Sequence, residues 1–413
     1  MSIKSINNPR LRFPGYERDW ESKPLSECFD ERNEQFPESE EYPLMAFVAD
    51  KGVSPKGEKY DRSALVKDAA NKKYKRTKFG DFIYSSNNLE AGSIGFNRYG
   101  NACISPVYSI FRAKESINAI FIGTLLTQKS FISELSKFRQ GVVYGQWKIP
   151  EKEFLGLSVF LPSPAEQQII ADCLSAIDEL ISAQDKKLGL LKERKQGLMQ
   201  QLFPQNGETT PHLRFPGFTD EWVEKPLSDV FTRLTRKNAE NNQNVLTISA
   251  QYGLISQLDF FKKSVAAADV TGYYLLSKGD FAYNKSTSQG RPVGAIKPLK
   301  LYDKGVVSTL YICFRCNNPK EIDFWEQYFD AGLLDKEIMA IAHEGARNHG
   351  LLNIPTSGFF GLTVLSPSID EQLKIASFLS ALDTIIVAET DKLEALKVHK
   401  KGLMQQLFPQ LDK

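Results

Sequence analysis

At 413 residues the chain is too long for one ordinary hydrophobic core and points to two or three domains. A make-up that is 42% hydrophobic and 25% charged is that of a soluble globular protein, and a formal net charge of +2 excludes a chain that is basic throughout, so any contact with nucleic acid must come from local patches. The most apolar stretch, residues 117–126, has about half the length needed to cross a bilayer, and residues 1–10 lack the basic-then-apolar order of a secretory signal, so a cytoplasmic location is expected. Cys28, Cys103, Cys173, Cys313 and Cys316 are odd in number and scattered, as reduced thiols would be.

In chain order, the first recognisable element is Pro9-Arg10-Leu11-Arg12-Phe13-Pro14-Gly15-Tyr16, followed by Trp20 and then by Lys23-Pro24-Leu25-Ser26. A mixed region comes next. Strand-like runs at residues 81–85 and 107–111 and a helical stretch near 117–138 predict an α/β (α+β) domain. Within it, Lys67, Lys72, Lys73, Lys75, Arg76 and Lys78 stand against one acid, Asp68, with Tyr74 between them. Such a run can neutralise phosphates, although charge alone fits a solvated surface equally well. Base reading needs side chains that hydrogen-bond in pairs, chiefly Arg or Lys to guanine and Asn or Gln to adenine. Asn87, Asn88 and Arg98 after the Gly-Asp-Phe strand, and Arg139, Gln140, Tyr144 and Gln146 in a glycine-bounded segment, supply that chemistry.

Residues 165–203 carry apolar residues in a 4-3-4 rhythm at Ile170, Leu174, Ile177, Ile181, Leu188, Leu191, Leu198 and Leu202, broken only at Gln184 and Lys195. This is the seam of a coiled coil. Pro162-Ser163-Pro164 with Glu166 in the first turn marks the start of the helix, and Pro204 its end.

The chain then begins again. Pro211-His212-Leu213-Arg214-Phe215-Pro216-Gly217-Phe218, Trp222 and Lys225-Pro226-Leu227-Ser228 restate the opening, and residues 402–410 are identical to residues 197–205. A second mixed region has strand-like runs at 281–284 and 306–314 and a helical stretch near 322–342. Lys285, Ser288, Gln289 and Arg291, then Arg347, Asn348 and His349, are its candidate readers. Cys313 and Cys316 form a C-x-x-C in an alternating stretch with no second pair to complete a zinc site, so no metal is expected. The second long helix repeats the seam with Ile375, Leu379, Leu382, Ile386, Leu393, Leu396, Leu403 and Leu407, broken at the equivalent Glu389 and Lys400, and Pro367-Ser368 and Pro409 mark its ends.

A period near 200 residues is a domain duplication. A single amphipathic helix would ordinarily pack on its own domain, but two in the same phase are expected to pair with each other, antiparallel. The expected segments are a recognition domain at 1–163, a helix at 164–204, a linker at 205–216, a second recognition domain at 217–366 and a second helix at 367–410. A helix of that length spans roughly 55–60 Å, enough to hold two readers at least one turn of duplex apart.

No catalytic signature is present. The sequence lacks the Gly-rich cofactor loop and the Asn/Asp-Pro-Pro-aromatic motif of an adenine methyltransferase; Ser105-Pro106-Val107-Tyr108 and Ser308-Thr309-Leu310-Tyr311 read as strand starts. There is no phosphate-binding loop, and His212, His343, His349 and His399 form no metal or nucleophile signature. No catalytic residue and no cofactor of its own are expected.

Taken together, the two Leu-Arg-Phe-Pro-Gly segments with their tryptophans, the Gly-Asp-Phe and Ser-x-x-Tyr elements, residues 162–167 and 367–372, and the two identical helix endings resemble the specificity subunits, HsdS, of Type I restriction-modification systems. The resemblance implies a non-catalytic DNA-binding subunit whose two recognition domains each read one half of a gapped double-stranded site, with the coiled coil fixing the gap. It further implies two methyltransferase (HsdM-like) and two ATP-dependent restriction and translocase (HsdR-like) partners, to which S-adenosylmethionine, ATP and magnesium would belong. The alternative is a coiled-coil interaction scaffold with two variable binding domains.

Overall fold

The computed structural model describes residues 8–48, 52–55, 73–87, 89, 93–143, 146–205, 207–249, 252–261, 269–287, 291–344 and 350–409. The chain divides into two compact units, Met1–Ala183 with Glu394–Lys413, and Gln184–Leu393. Each unit therefore takes in part of both long helices, which the sequence reading sets apart as segments of their own.

In the first unit a four-stranded antiparallel sheet runs in the order Phe29–Glu31, Ser109–Ala113, Phe82–Tyr84, Ile94–Phe96. In the second the order is Phe231–Leu234, Ile312–Cys316, Phe281–Asn284, Ala295–Pro298, the same arrangement. Each unit also pairs its Lys-Pro strand with the strand that precedes a long helix: Glu21–Pro24 with Ser158–Leu161, and Val223–Pro226 with Thr363–Ser366. The duplication read from the sequence is thus carried by topology, even where the residues have diverged.

The Gly-Asp-Phe element explains how each central strand enters the core. Gly80 and Gly279 adopt φ of 84° and 89°, a turn that only glycine takes without strain. The next residue closes the turn: the Asp81 carboxylate accepts from the Lys78 amide at 2.7 Å, and Asp280 accepts from the Ser277 amide at 2.7 Å. Both aspartates are buried and neutralised by arginine, Asp81 by Arg32 at 2.8 Å and Asp280 by Arg315 at 2.6 Å. The phenylalanine then enters a ring cluster, Phe82 against Phe154 and Phe281 stacked on Phe314. A Cβ at Gly80 would lie 3.0 Å from the Ala119 Cβ. Gly80→Ala is therefore expected to cost about 1–2 kcal/mol from the left-handed backbone alone, and more with the contact, read as a lower urea midpoint.

Some elements differ from expectation. The run 306–314 is two strands, Lys304–Val307 and Ile312–Cys316, because the turn in which Tyr311 donates to the Ser308 carbonyl interrupts it. The stretches 117–138 and 322–342 each hold two short helices. In the second unit Ile322–Asp330 ends ahead of Gly332, at φ 73°, before Asp335–Ile341 begins. No described helix is long and apolar enough to cross a membrane.

The long helices are Pro164–Leu202 and Ile369–Leu407. Ser163 and Ser368 cap them, their hydroxyls accepting from the Glu166 and Glu371 amides at 3.3 and 3.4 Å. The first unit's core includes Ile170 and Leu174 with Leu403, Leu407 and Phe408, and the second unit's includes Leu198, Leu202 and Phe203 with Ile375, Leu379 and Leu382. In each unit the start of one long helix therefore packs with the end of the other. None of the sixteen seam residues named above is exposed.

Candidate nucleic-acid interface

In both units the structure joins the two segments that the sequence singles out as readers. In the first, Ser86 sits beside Asn87. Its carbonyl accepts from Arg139 Nε at 3.1 Å and its hydroxyl from the Ile149 amide at 3.0 Å, tying the loop after the central strand to residues 139–149. In the second, Ser286 bridges to Leu351 and the Thr287 amide donates to the Gly350 carbonyl at 2.6 Å. Segments far apart in sequence converge beyond the same strand of the sheet, as a composite binding edge requires.

The second unit's edge carries a cavity of about 190 Å³, lined by Ser249, Asn284, Ser286, Thr287, Arg291 and Lys297 together with Ile248 and Ala295. Lys297 is buried between Asp330 at 2.6 Å and Glu326 at 3.1 Å. Burial alone would lower its pKa, but those two carboxylates raise it above the ordinary lysine value, so it stays charged. Arg291 reaches Asp330 at 3.4 Å and keeps about a third of its side chain in solvent. Lys285 differs: it is half-buried, has no ion-pair partner among the described residues, and burial holds its pKa below the usual lysine value. An ammonium in that state gains from an incoming anion.

Among its described residues, the basic run of the first unit does not form one patch, and Lys67 lies outside them. Lys75 is buried and gives its ammonium to the Tyr108 carbonyl at 3.0 Å. Arg76 lies between the rings of Phe36 and Tyr42, 4.3 Å from each centroid. The alternation of the strand Tyr74–Thr77 turns Lys75 inward, a pattern that charge counting overlooks. Lys73 and Lys78 remain exposed, while Lys72 lies outside the described residues. Arg98 stacks over Phe96 at 4.5 Å and pairs with Asp178 of the long helix at 2.7 Å, which anchors the domain to the helix while about half of the side chain stays exposed. Gln140 and Gln146 lie on strands whose side chains are not described. Asn88, Tyr144, Ser288, Gln289, Arg347, Asn348 and His349 fall outside the described residues.

Ser249, Asn284 and Lys297 are site residues that the sequence reading passes over. Asn284 could have been found as the last residue of the Gly-Asp-Phe strand; nothing in the sequence flags the other two. The Cys313 and Cys316 thiols are buried on one strand, and burial pushes both pKa values up to about 12. They are therefore protonated at neutral pH, and among the described residues no group of three or more His, Cys, Asp and Glu side chains is placed to hold a metal ion.

The helices bring their own polar residues together. In the second unit Lys195 donates to Asp383 at 2.6 Å, and Gln184 and Lys187 hydrogen-bond to Glu389. In the first, Lys400 donates to Asp178.

Residues 17–193 match the family described as Type I restriction modification DNA specificity domain. The strand order of that segment returns in the second half. That segment is similar to the DNA specificity domain of Type I restriction-modification systems. A solved S subunit of a Type I restriction-modification system from M. genitalium shares this fold over 98% of this chain and 100% of its own, at 15% identity and a TM-score of 0.60. Another, from work on complex assembly and conformational transition of the type I R-M system, matches over 96% and 99%, with 15% identity and a TM-score of 0.51. Members of this family confer DNA sequence specificity, the role that a convergent polar edge in each of two dissimilar units can serve.

Proposed function

We propose that each unit reads one half of a gapped double-stranded DNA site at the edge where its two reader segments meet, and that the paired helices set the gap. The observation that carries this reading is the joining of the two reader segments beyond the same strand in both units, through different residues: Ser86 with Arg139 in one, Ser286 and Thr287 with Gly350 and Leu351 in the other. A shared frame with changed chemistry is what two unlike half-sites demand. Methylation, ATP hydrolysis and cleavage would belong to partners, two methyltransferase and two translocase-nuclease subunits. S-adenosylmethionine, ATP and magnesium would be theirs. Leu180 and Ile385, at equivalent places in the two helices, are 57% and 45% exposed and suit methyltransferase docking.

Duplex binding by the purified full chain, titrated in salt, tests this. Affinity should fall steeply as salt rises, because phosphate contacts release counterions. Lys285→Ala should reduce the logarithmic salt slope by about one with the sequence preference kept. Binding that ignores both salt and sequence would refute the assignment.

A further inference from the structure

We propose that Asp178 and Asp383 are positioning residues, each of which locks the register of the helix pair within its unit and, through a second donor, seats the recognition domain on that pair. The duplication places them at equivalent points, as it does Lys195 and Lys400. Lys195, nearly buried at 11% side-chain exposure, meets Asp383, and Lys400 meets Asp178. The helices run oppositely, so both ion pairs demand the same antiparallel register. With Gln184 and Glu389, these lysines are the residues that interrupt the heptads. They are polar layers rather than faults in the seam.

Each carboxylate has another partner from its own recognition domain. Asp178 accepts from Arg98 at 2.7 Å, and Asp383 accepts from Gln327 at 2.7 Å. These donors are not equivalent: Arg98 follows the strand Ile94–Phe96, whereas Gln327 lies on the helix Ile322–Asp330. Two diverged domains thus meet one requirement by different routes, which an incidental surface pair would not explain. Asp178 is charged through the neutral range, since the hydrogen bonds from Lys400 and Arg98 outweigh its burial and hold its pKa below the usual carboxylate value.

The seam needs such a lock. Sliding one helix by a heptad, about 10 Å, keeps apolar residues facing apolar residues. One direction would leave Lys195 against Ala376 and Lys400 against Ala171; the other would leave Lys195 against Thr390, with only Lys400 finding Asp185. A lysine buried without its partner opposes both slips. The consequence for spacing on DNA rests on the function proposed above, but the register does not.

The test uses the full chain in a Cys173→Ser background, because the other four cysteines are buried. Spin labels at Lys192→Cys and Ser377→Cys, both exposed, report the helix pair, and labels at Lys320→Cys and Ser377→Cys report the seat of the second domain. Asp383→Lys should split or displace the first distance by about 10 Å, and the exchange Lys195→Asp with Asp383→Lys should restore it, the Gln327 amide turning to accept. Gln327→Met should leave the first distance unchanged and broaden the second. An unaltered first distance in Asp383→Lys, or no restoration by the exchange, overturns the proposal. Failure of the unmodified chain to bind duplex, with the distances behaving as stated, would instead count against the DNA-reading function.

Discussion

Glu166→Ala is expected to destabilise the first unit by about 3 kcal/mol or more, and Glu371→Ala the second by a similar amount, because each change strands a guanidinium that makes no other ion pair among the described residues. Arg12 holds Glu166 through two hydrogen bonds of 2.9 and 2.7 Å, and Arg214 holds Glu371 through two of 2.9 and 2.6 Å. Both carboxylates are only 2% exposed at the side chain, and both arginines are under a fifth exposed. The hydrogen bond that each arginine donates to its carboxylate also raises the arginine's pKa, so the cation cannot escape by losing its proton. The pairs fasten the Leu-Arg-Phe-Pro-Gly segment of each half to the first turn of a long helix. Chemical denaturation followed by tryptophan fluorescence measures the loss. The double change Arg12→Met with Glu166→Leu should cost far less than Glu166→Ala, since apolar groups of similar volume can replace a buried pair at little net cost. Equal losses in the two variants would show that the pair's charge is not what holds the segment.

What could be read in the sequence divides along physical lines. Helix periodicity is local, so the two long helices and the caps at Ser163 and Ser368 are legible in the sequence, as is the duplication in the identical endings. Tertiary choices were not legible. Lys75 and Arg76 stand in a basic run, but strand alternation and the rings of Phe36 and Tyr42 draw them inward. Arg98 has the chemistry of a guanine reader, and only the fold shows that Asp178, eighty residues on, takes its charge. Gln184, Lys195, Glu389 and Lys400 looked like interruptions because their partners lie about two hundred residues away on an antiparallel helix, a relation that no local window contains. The reader segments were recognised one by one, whereas their convergence at Ser86 and at Ser286 and Thr287 required the sheet.

Exchange of residues 17–160 for the corresponding segment of a relative with another target should change one half of the methylated site completely and leave the other half and the gap as they were. The first unit's sheet, its core around Phe29, Phe82 and Phe154, and its reader edge are built from residues in that segment, which stops before the helix cap at Ser163. What the exchange leaves in place is the seam and the polar layers Lys195–Asp383 and Asp178–Lys400. The incoming domain must bring its own donor for Asp178, as Arg98 does here and Gln327 does for Asp383. Mapping of methylated adenines in cells that carry the chimera and its methyltransferase partner reads both halves and the gap together. Loss of both halves at once would mean that reading is shared between the domains. An altered gap with the second half preserved would mean that the recognition domain itself, and not the helix pair, sets the spacing.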